Sequence, residues 1–254
     1  MTDYTTWLSS STGFSSTATD YWKAIFSNST LLYGDATCCI TTKPDLPEGL
    51  MTLETAAGQF MAVLTPEMAV KAALQQQPVL PEQHFRQQLA RAGIPLHGAD
   101  YVFYYTEAAR QELLQEQSLR QLRRLTAADQ AIFDLMQAAA TEEDKDGAYV
   151  ELNHWAVFGS FAGEQLAGAA SMYPWDDSQL ADLGVLTLEP FRGQGHARRL
   201  VRAICRYALE QGYEPQYRCQ LDNEASVRLA HAAGLTLFGK WDFIASHYQE
   251  QITG

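Results

Sequence analysis

Arg192, Gly193, Gln194, Gly195, His196 and Ala197 follow directly on the strand-like run 183–188 and open a long helical stretch. A glycine-rich turn between a strand and a helix N-terminus aims several unpaired backbone N–H groups at one small volume. The aligned helix dipole favours negative charge in the same place. Glycine at 193 and 195 lets the backbone approach an anion closely and take dihedrals that a Cβ obstructs. The helix that follows carries Arg198, Arg199, Arg202 and Arg206, so basic side chains surround the cradle. This arrangement suits the binding of a phosphorylated ligand.

Two common phosphate loops do not fit. A P-loop requires Gly-x-x-x-x-Gly-Lys followed by Ser or Thr, and the chain has no such string. A dinucleotide fingerprint requires Gly-x-Gly-x-x-Gly or Ala, and Arg198 occupies its last position. The order Arg-x-x-Gly-x-Ala instead resembles the pyrophosphate loop of the GNAT superfamily of acyl-CoA-dependent N-acyltransferases, and residues 185–195 resemble that superfamily's central strand and loop throughout. Downstream, the strand-like run 217–221 leads to Asn223, Ser226, Leu229 and Ala230, then Gly234 and Leu235. This is similar to a second GNAT motif, Asn-x-x-Ser-x-x-Leu-Tyr ending in Gly-Phe, with Ala230 in place of tyrosine and Leu235 in place of phenylalanine. Asn223 also suits a helix N-cap by its own chemistry. Two motifs in the right order and separation make the resemblance specific, and it spans roughly residues 119–245.

The resemblance implies an N-acetyltransferase that moves an acetyl group from acetyl-CoA to a primary amine. Carried over residue by residue, the backbone of Val185, Leu186 and Thr187 pairs with the pantetheine amides. Arg192, Gly193, Gln194, Gly195, His196, Ala197 and Arg198 hold the pyrophosphate, and Asn223 and Ser226 lie at the pantetheine or pyrophosphate. The side chains of Arg199, Arg202 and Arg206 add charge there or form a solvated helix face. A backbone N–H near Leu186 or Thr187 polarises the acyl carbonyl. An attacking amine must be neutral, so a base or a water chain takes its proton. Asp182, on the central strand, is the candidate base; its other reading is a structural carboxylate at a strand end. Glu151, His154 and Tyr173 are further candidates whose other reading is structural or acceptor-facing, and His231 lies beside Ala230 on another helix face. Many GNAT enzymes place a tyrosine general acid where this chain has Ala230. The leaving thiolate is then protonated by another residue, by water, or not at all. Two rival functions remain open: a non-catalytic acyl-CoA-binding module, and acyl transfer to a hydroxyl or thiol.

Bulk properties narrow the partners. The 254 residues are 46% hydrophobic and 19% charged, which describes an ordinary globular chain with room for one large or two small domains. A net charge of −12 argues against nucleic acid and anionic membranes and favours cationic acceptors such as amines. No apolar run reaches the length of a membrane span, and residues 1–20 lack the basic and apolar regions of a secretory signal. Cys38, Cys39, Cys205 and Cys219 show no Cys-x-x-Cys spacing, so reduced thiols, no metal and a cytoplasmic location are expected.

The elements that position these residues give a mixed α/β sheet fold, a GNAT fold in the second half preceded by a smaller α/β domain. The division falls at 1–117 and 118–254. In the first part, 21–26, 66 onward, 81–93 and 107–117 read as helices, and 36–42, 50–55, 59–64 and 100–106 as strands. No motif assigns this part a role; a degenerate second copy of the same fold is one reading. In the second part, 119–125 is a strand, Thr126 and Asp129 start a helix, and the acidic segment 142–147 is a loop. Residues 155–161 and 166–173 form a hairpin, 180–188 is the central strand, and 235–243 is the last. Leu200, Ile204 and Ala208 give the intervening helix an apolar stripe suited to packing on the sheet.

Overall fold

Helix starts in this chain are marked by side chains that accept hydrogen bonds from the first turn, and these fix the elements locally. Ser15 caps α1 (Ser16–Phe26) and Thr65 caps α2 (Pro66–Lys71), whose first position is the proline a helix start tolerates best. The computed structural model describes residues 3–8, 13–116 and 122–245. Its first half contains α1, β1 (Thr30–Gly34), β2 (Cys38–Thr42), β3 (Leu50–Thr55), β4 (Phe60–Leu64), α2, α3 (Glu82–Arg91), β5 (Asp100–Tyr104) and α4 (Glu107–Leu114). The second half contains β6 (Leu122–Arg124), α5 (Gln130–Ala139), α6 (Glu142–Ala148), β7 (Ala156–Ala162), β8 (Gln165–Trp175) and β9 (Leu180–Thr187). It continues through α7 (His196–Glu210), β10 (Glu214–Gln220), α8 (Glu224–Ala233) and β11 (Thr236–Phe243).

Two local expectations change. The acidic segment read as a loop is the helix α6. Thr141 accepts a hydrogen bond from the Asp144 amide at 3.1 Å, and Glu142, Glu143 and Asp144 sit at the positive end of the helix dipole. Composition alone concealed a cap and a favourable charge placement. Strand β1 was missed because it is a largely exposed edge strand without clean alternation. The strand expected over 119–125 is described only as Leu122–Arg124, and residues 119–121 lie outside the described residues, as does residue 117 at the end of the helix expected over 107–117.

The described strands form one eleven-stranded mixed sheet in the order β1-β2-β4-β3-β11-β5-β10-β9-β8-β7-β6. The order interleaves the two halves. Strand β11, last in the chain, pairs antiparallel with β3 (Gly239↔Thr55 to Phe243↔Met51) and with β5 (Thr236↔Tyr104 to Trp241↔Asp100). Strand β5 in turn pairs antiparallel with β10, from Tyr217↔Phe103 to Gln220↔Asp100. Each half therefore places a strand between strands of the other.

The core follows the same pattern. Leu200, Val201, Ile204, Cys205 and Ala208 of α7 pack with Phe103 of β5, Ala181 and Leu183 of β9, and Tyr217 of β10. On the opposite face Trp22 and Phe26 of α1 pack with Val102 and Tyr104 of β5, Leu180 of β9, and Phe238 and Trp241 of β11. Both clusters draw residues from both halves, so burying apolar surface couples them.

A chain starting at residue 118 lacks β5 and leaves facing edges of β10 and β11 unpaired. Such a fragment is expected to give no cooperative melt by circular dichroism, and co-expression with residues 1–117 to restore one. A 118–254 fragment that melts cooperatively on its own would contradict the interleaving.

Candidate active site

A single departure from regular pairing creates the cleft. Strand β9 pairs with β8 along its whole length, from Trp175↔Leu180 to Gly168↔Thr187. Its other edge pairs with β10 only from Leu180↔Glu214 to Leu183↔Tyr217. Beyond that point β10 stays with β5 while β9 stays with β8, and the two parallel strands part. The backbone of Gly184, Val185, Leu186 and Thr187 thus turns an edge without a ladder partner toward the opening. A cavity of about 340 Å³ lies there, lined among others by Asp182, Gly184, Val185, Tyr217, Asn223 and Ser226. Gly184 is required at the divergence, because a Cβ would stand 1.8 Å from the carbonyl oxygen of Ala148 at the end of α6.

The glycine loop follows β9. Gly193 and Gly195 have φ of +75° and +78°, a region that other residues enter only at a cost. Gly195 is the N-cap of α7 and provides no side-chain acceptor, so the first amides of a fifteen-residue helix have no capping side chain. Among the expected pyrophosphate ligands, Arg192 reaches back to the Thr187 carbonyl (3.1 Å) and forms an ion pair with Asp144 of α6 (2.7 Å). Gln194 donates to the Pro190 carbonyl, and Arg198 is exposed. His196 is buried with its Nδ1 2.8 Å from Ser160 Oγ, and burial followed by the charge of Arg199 depresses its pKa. Its side chain is directed inward, leaving its backbone, like that of Ala197, at the cradle. Further along, Arg202 pairs with Glu116 and Arg206 with Glu210, so these two arginines already have carboxylate partners.

Asn223 caps α8 by accepting from the Ser226 amide at 3.0 Å, and Ser226 lines the same cavity as Tyr217. Tyr217 stands at the apex of the split. It is 3% exposed, lines the cavity, and its pKa is pushed up to about 12, chiefly by burial, so it holds its proton at neutral pH. Ala230, where the resemblance leads one to look for tyrosine, is fully buried one helical turn beyond Ser226. Alternation along β10 was the available sign of Tyr217, since it puts Tyr217 and Cys219 on the α7 side and Gln216 and Arg218 on the other.

On that other side Asp182 is saturated. Arg218 grips it with Nε–Oδ1 at 3.0 Å and Nη2–Oδ2 at 2.8 Å, Gln216 donates at 3.1 Å, and the Tyr173 hydroxyl donates at 3.2 Å. Arg218 also contacts Asp100 of β5 (3.3 Å) and lies over the rings of Trp175 and Trp241. Gln216 accepts from Tyr104, which accepts from Trp22, so the network runs into α1. His154 bonds to Ser171 Oγ at 2.8 Å and packs against Tyr173, whose pKa is raised by burial and then by the Asp182 charge. Glu151 is exposed, and His231, exposed on α8, meets the ring of Phe103 edge-on.

With this geometry in view, residues 129–235 match the family model described as the acetyltransferase (GNAT) family. The match covers that segment, and the mixed sheet extends beyond it into the N-terminal part. Similar solved structures include a putative GNAT acetyltransferase from Novosphingobium aromaticivorans, with 19% identity, 72% of this chain and 81% of that one covered, and TM-score 0.48. A GNAT acetyltransferase from Colwellia psychrerythraea has 18% identity, coverage of 72% and 75%, and TM-score 0.49. A functionally unknown conserved protein from Staphylococcus epidermidis has 13% identity, coverage of 88% and 96%, and TM-score 0.47. Among curated proteins there is no match.

Asp182→Asn leaves Arg218 facing a neutral amide while both remain largely out of water. Removing one partner of a buried pair costs about 3–5 kcal/mol. Urea unfolding should show that loss, and a variant within 1 kcal/mol of the parent, on the same scale, would show the pair to be structurally idle.

Proposed function

We propose that the chain transfers an acetyl group from acetyl-CoA to a primary amine. The observation that carries this reading is the parting of β9 and β10 after Leu183 and Tyr217, directly ahead of an uncapped helix N-terminus. An extended arm with amide groups can pair with the free edge of Val185–Thr187, and a pyrophosphate fits the amides from Gly193 to Arg198. Asn223 and Ser226 border the same cavity from the α8 side. The acyl carbonyl is polarised by a backbone N–H of the free edge near Leu186 or Thr187.

The chemistry balances with two proton movements. The amine nitrogen forms an amide bond to the acyl carbon as the carbon–sulfur bond breaks, one proton leaves the nitrogen, and one reaches the sulfur. Tyr217 carries the second: its hydroxyl is protonated and buried at the apex of the split, beside the cavity. Asp182 takes part as a positioning residue. Arg218 occupies both of its oxygens, leaving neither free to face an acceptor, and through its carboxylate Asp182 fixes Tyr173 and Arg218 on the cleft wall. The amine's proton then leaves through water at that wall.

Acetyl-CoA should raise the melting temperature, because a ligand selective for the native state stabilises it by mass action. Gly195→Asp should remove the shift while the variant still melts cooperatively, since a carboxylate then occupies the place of the pyrophosphate charge. NADH or ATP shifting the melt where acetyl-CoA does not would overturn the donor assignment.

Tyr217→Phe should lower turnover by about a hundredfold, the ordinary scale of a positioned acid, with acetyl-CoA affinity retained. The defect should shrink for an acyl donor whose thiol is more acidic, because that leaving group needs less help. An equal defect for both donors would assign Tyr217 to packing alone.

A further inference from the structure

The wall opposite the glycine loop has a chemistry of its own. Tyr149 ends α6 in the left-handed region (φ +45°, ψ +50°), uncommon for a bulky residue, and this conformation leaves its side chain 53% exposed where it lines the cavity. Its ring meets Tyr173 edge to face at 5.7 Å and His154 at 5.2 Å. Burial depresses the His154 pKa, so this third ring is neutral near pH 7 and does not repel a cation. The three rings form an aromatic corner beside the point where β9 and β10 part.

The charges around the cavity are unequal. Asp100 reaches it from β5, Asp146 from α6 and Asp182 from β9. Among the described lining residues Arg218 is the one guanidinium or ammonium, already bidentate on Asp182 and bonded to Asp100, and the His97 imidazole is the one other group that can become cationic. An acceptor bearing a carboxylate finds no free guanidinium or ammonium here and meets like charge. A cation finds aromatic faces and, against one guanidinium, three carboxylates, each of which attracts it.

Granted the acyl transfer proposed above, we infer that the acceptor is an aliphatic amine bearing a second ammonium group, seated against Tyr149 and Tyr173 between Asp100 and Asp146. The second ammonium takes no part in bond making. It orients the reactive nitrogen, which loses one proton as the amide forms while the departing sulfur gains one. Through Asp100 the first half of the chain contributes directly to the choice of acceptor.

The test measures CoA release from acetyl-CoA by the full-length protein with butane-1,4-diamine, butylamine and 4-aminobutanoate. The diamine should exceed butylamine in kcat/KM by about tenfold, between the scales of an exposed and a desolvated cation–π contact, and 4-aminobutanoate should be the poorest. Tyr149→Ala and, independently, Asp146→Asn at an exposed position should bring the diamine-to-monoamine ratio toward one, chiefly through KM. The acetyl-CoA melting shift reports that each variant is folded. A diamine no better than butylamine, or 4-aminobutanoate as good as either, overturns this inference and leaves acyl transfer standing. Silence with all three amines while acetyl-CoA still binds overturns both.

Discussion

Strand β10 parts from β9 after Tyr217 and remains an ordered strand because β5 holds its other edge. Without that second partner, the backbone groups of residues 218–220 would have no ladder, and buried peptide groups without partners are expensive. The cleft therefore depends on a strand supplied from the other half of the chain. β11 closes the arrangement by pairing with β5 on one side and β3 on the other, which makes the exchange mutual. An open parallel pair in the middle of a large sheet is stable here because both strands keep their outer neighbours.

The polar groups on the α1 side of this sheet obey the same constraint. A guanidinium and carboxylates are buried near the split, and each is satisfied by the others and by neutral donors: Arg218 by Asp182 and Asp100, Asp182 also by Gln216 and Tyr173. Pairing offsets the desolvation that would otherwise expel them, and a fully satisfied network holds its members in one geometry. Trp22, Tyr104, Gln216, Asp182 and Tyr173 come from α1, β5, β10, β9 and β8, so the network ties both halves to the cleft wall.

Helix α6 joins the two ends of the cleft. Its terminal carbonyl packs on Gly184 where β9 leaves β10, its Asp144 pairs with Arg192 of the glycine loop, and its last turn delivers Tyr149 to the aromatic corner. An anion bound at the head of α7 and an acceptor at the aromatic corner would both be felt by this one short helix. That coupling follows from packing and charge, since a seven-residue helix has little stability of its own.

Short-range features were legible from the sequence. The glycine turn before α7, the caps at Thr65, Thr126 and Asn223, and the apolar stripe of Leu200, Ile204 and Ala208 each follow from residues within a few positions of one another, where local sterics and hydrogen bonding decide the outcome. The same locality is ambiguous for α6, whose acidic composition suits a loop while its Thr141 cap and acidic first turn suit a helix start. Tertiary structure alone decided which strands became neighbours, because strand pairing is set by contacts between distant segments: Asp100 and Arg218 meet across 118 positions, and Trp22 and Tyr104 across 82. It also decided what the candidate residues can do. Asp182 on the central strand reads from sequence as a base or a structural carboxylate, and Arg218 placed against it decides for the second; Tyr217 is one aromatic residue in a strand until the parting of β9 and β10 puts it at the apex of the cleft.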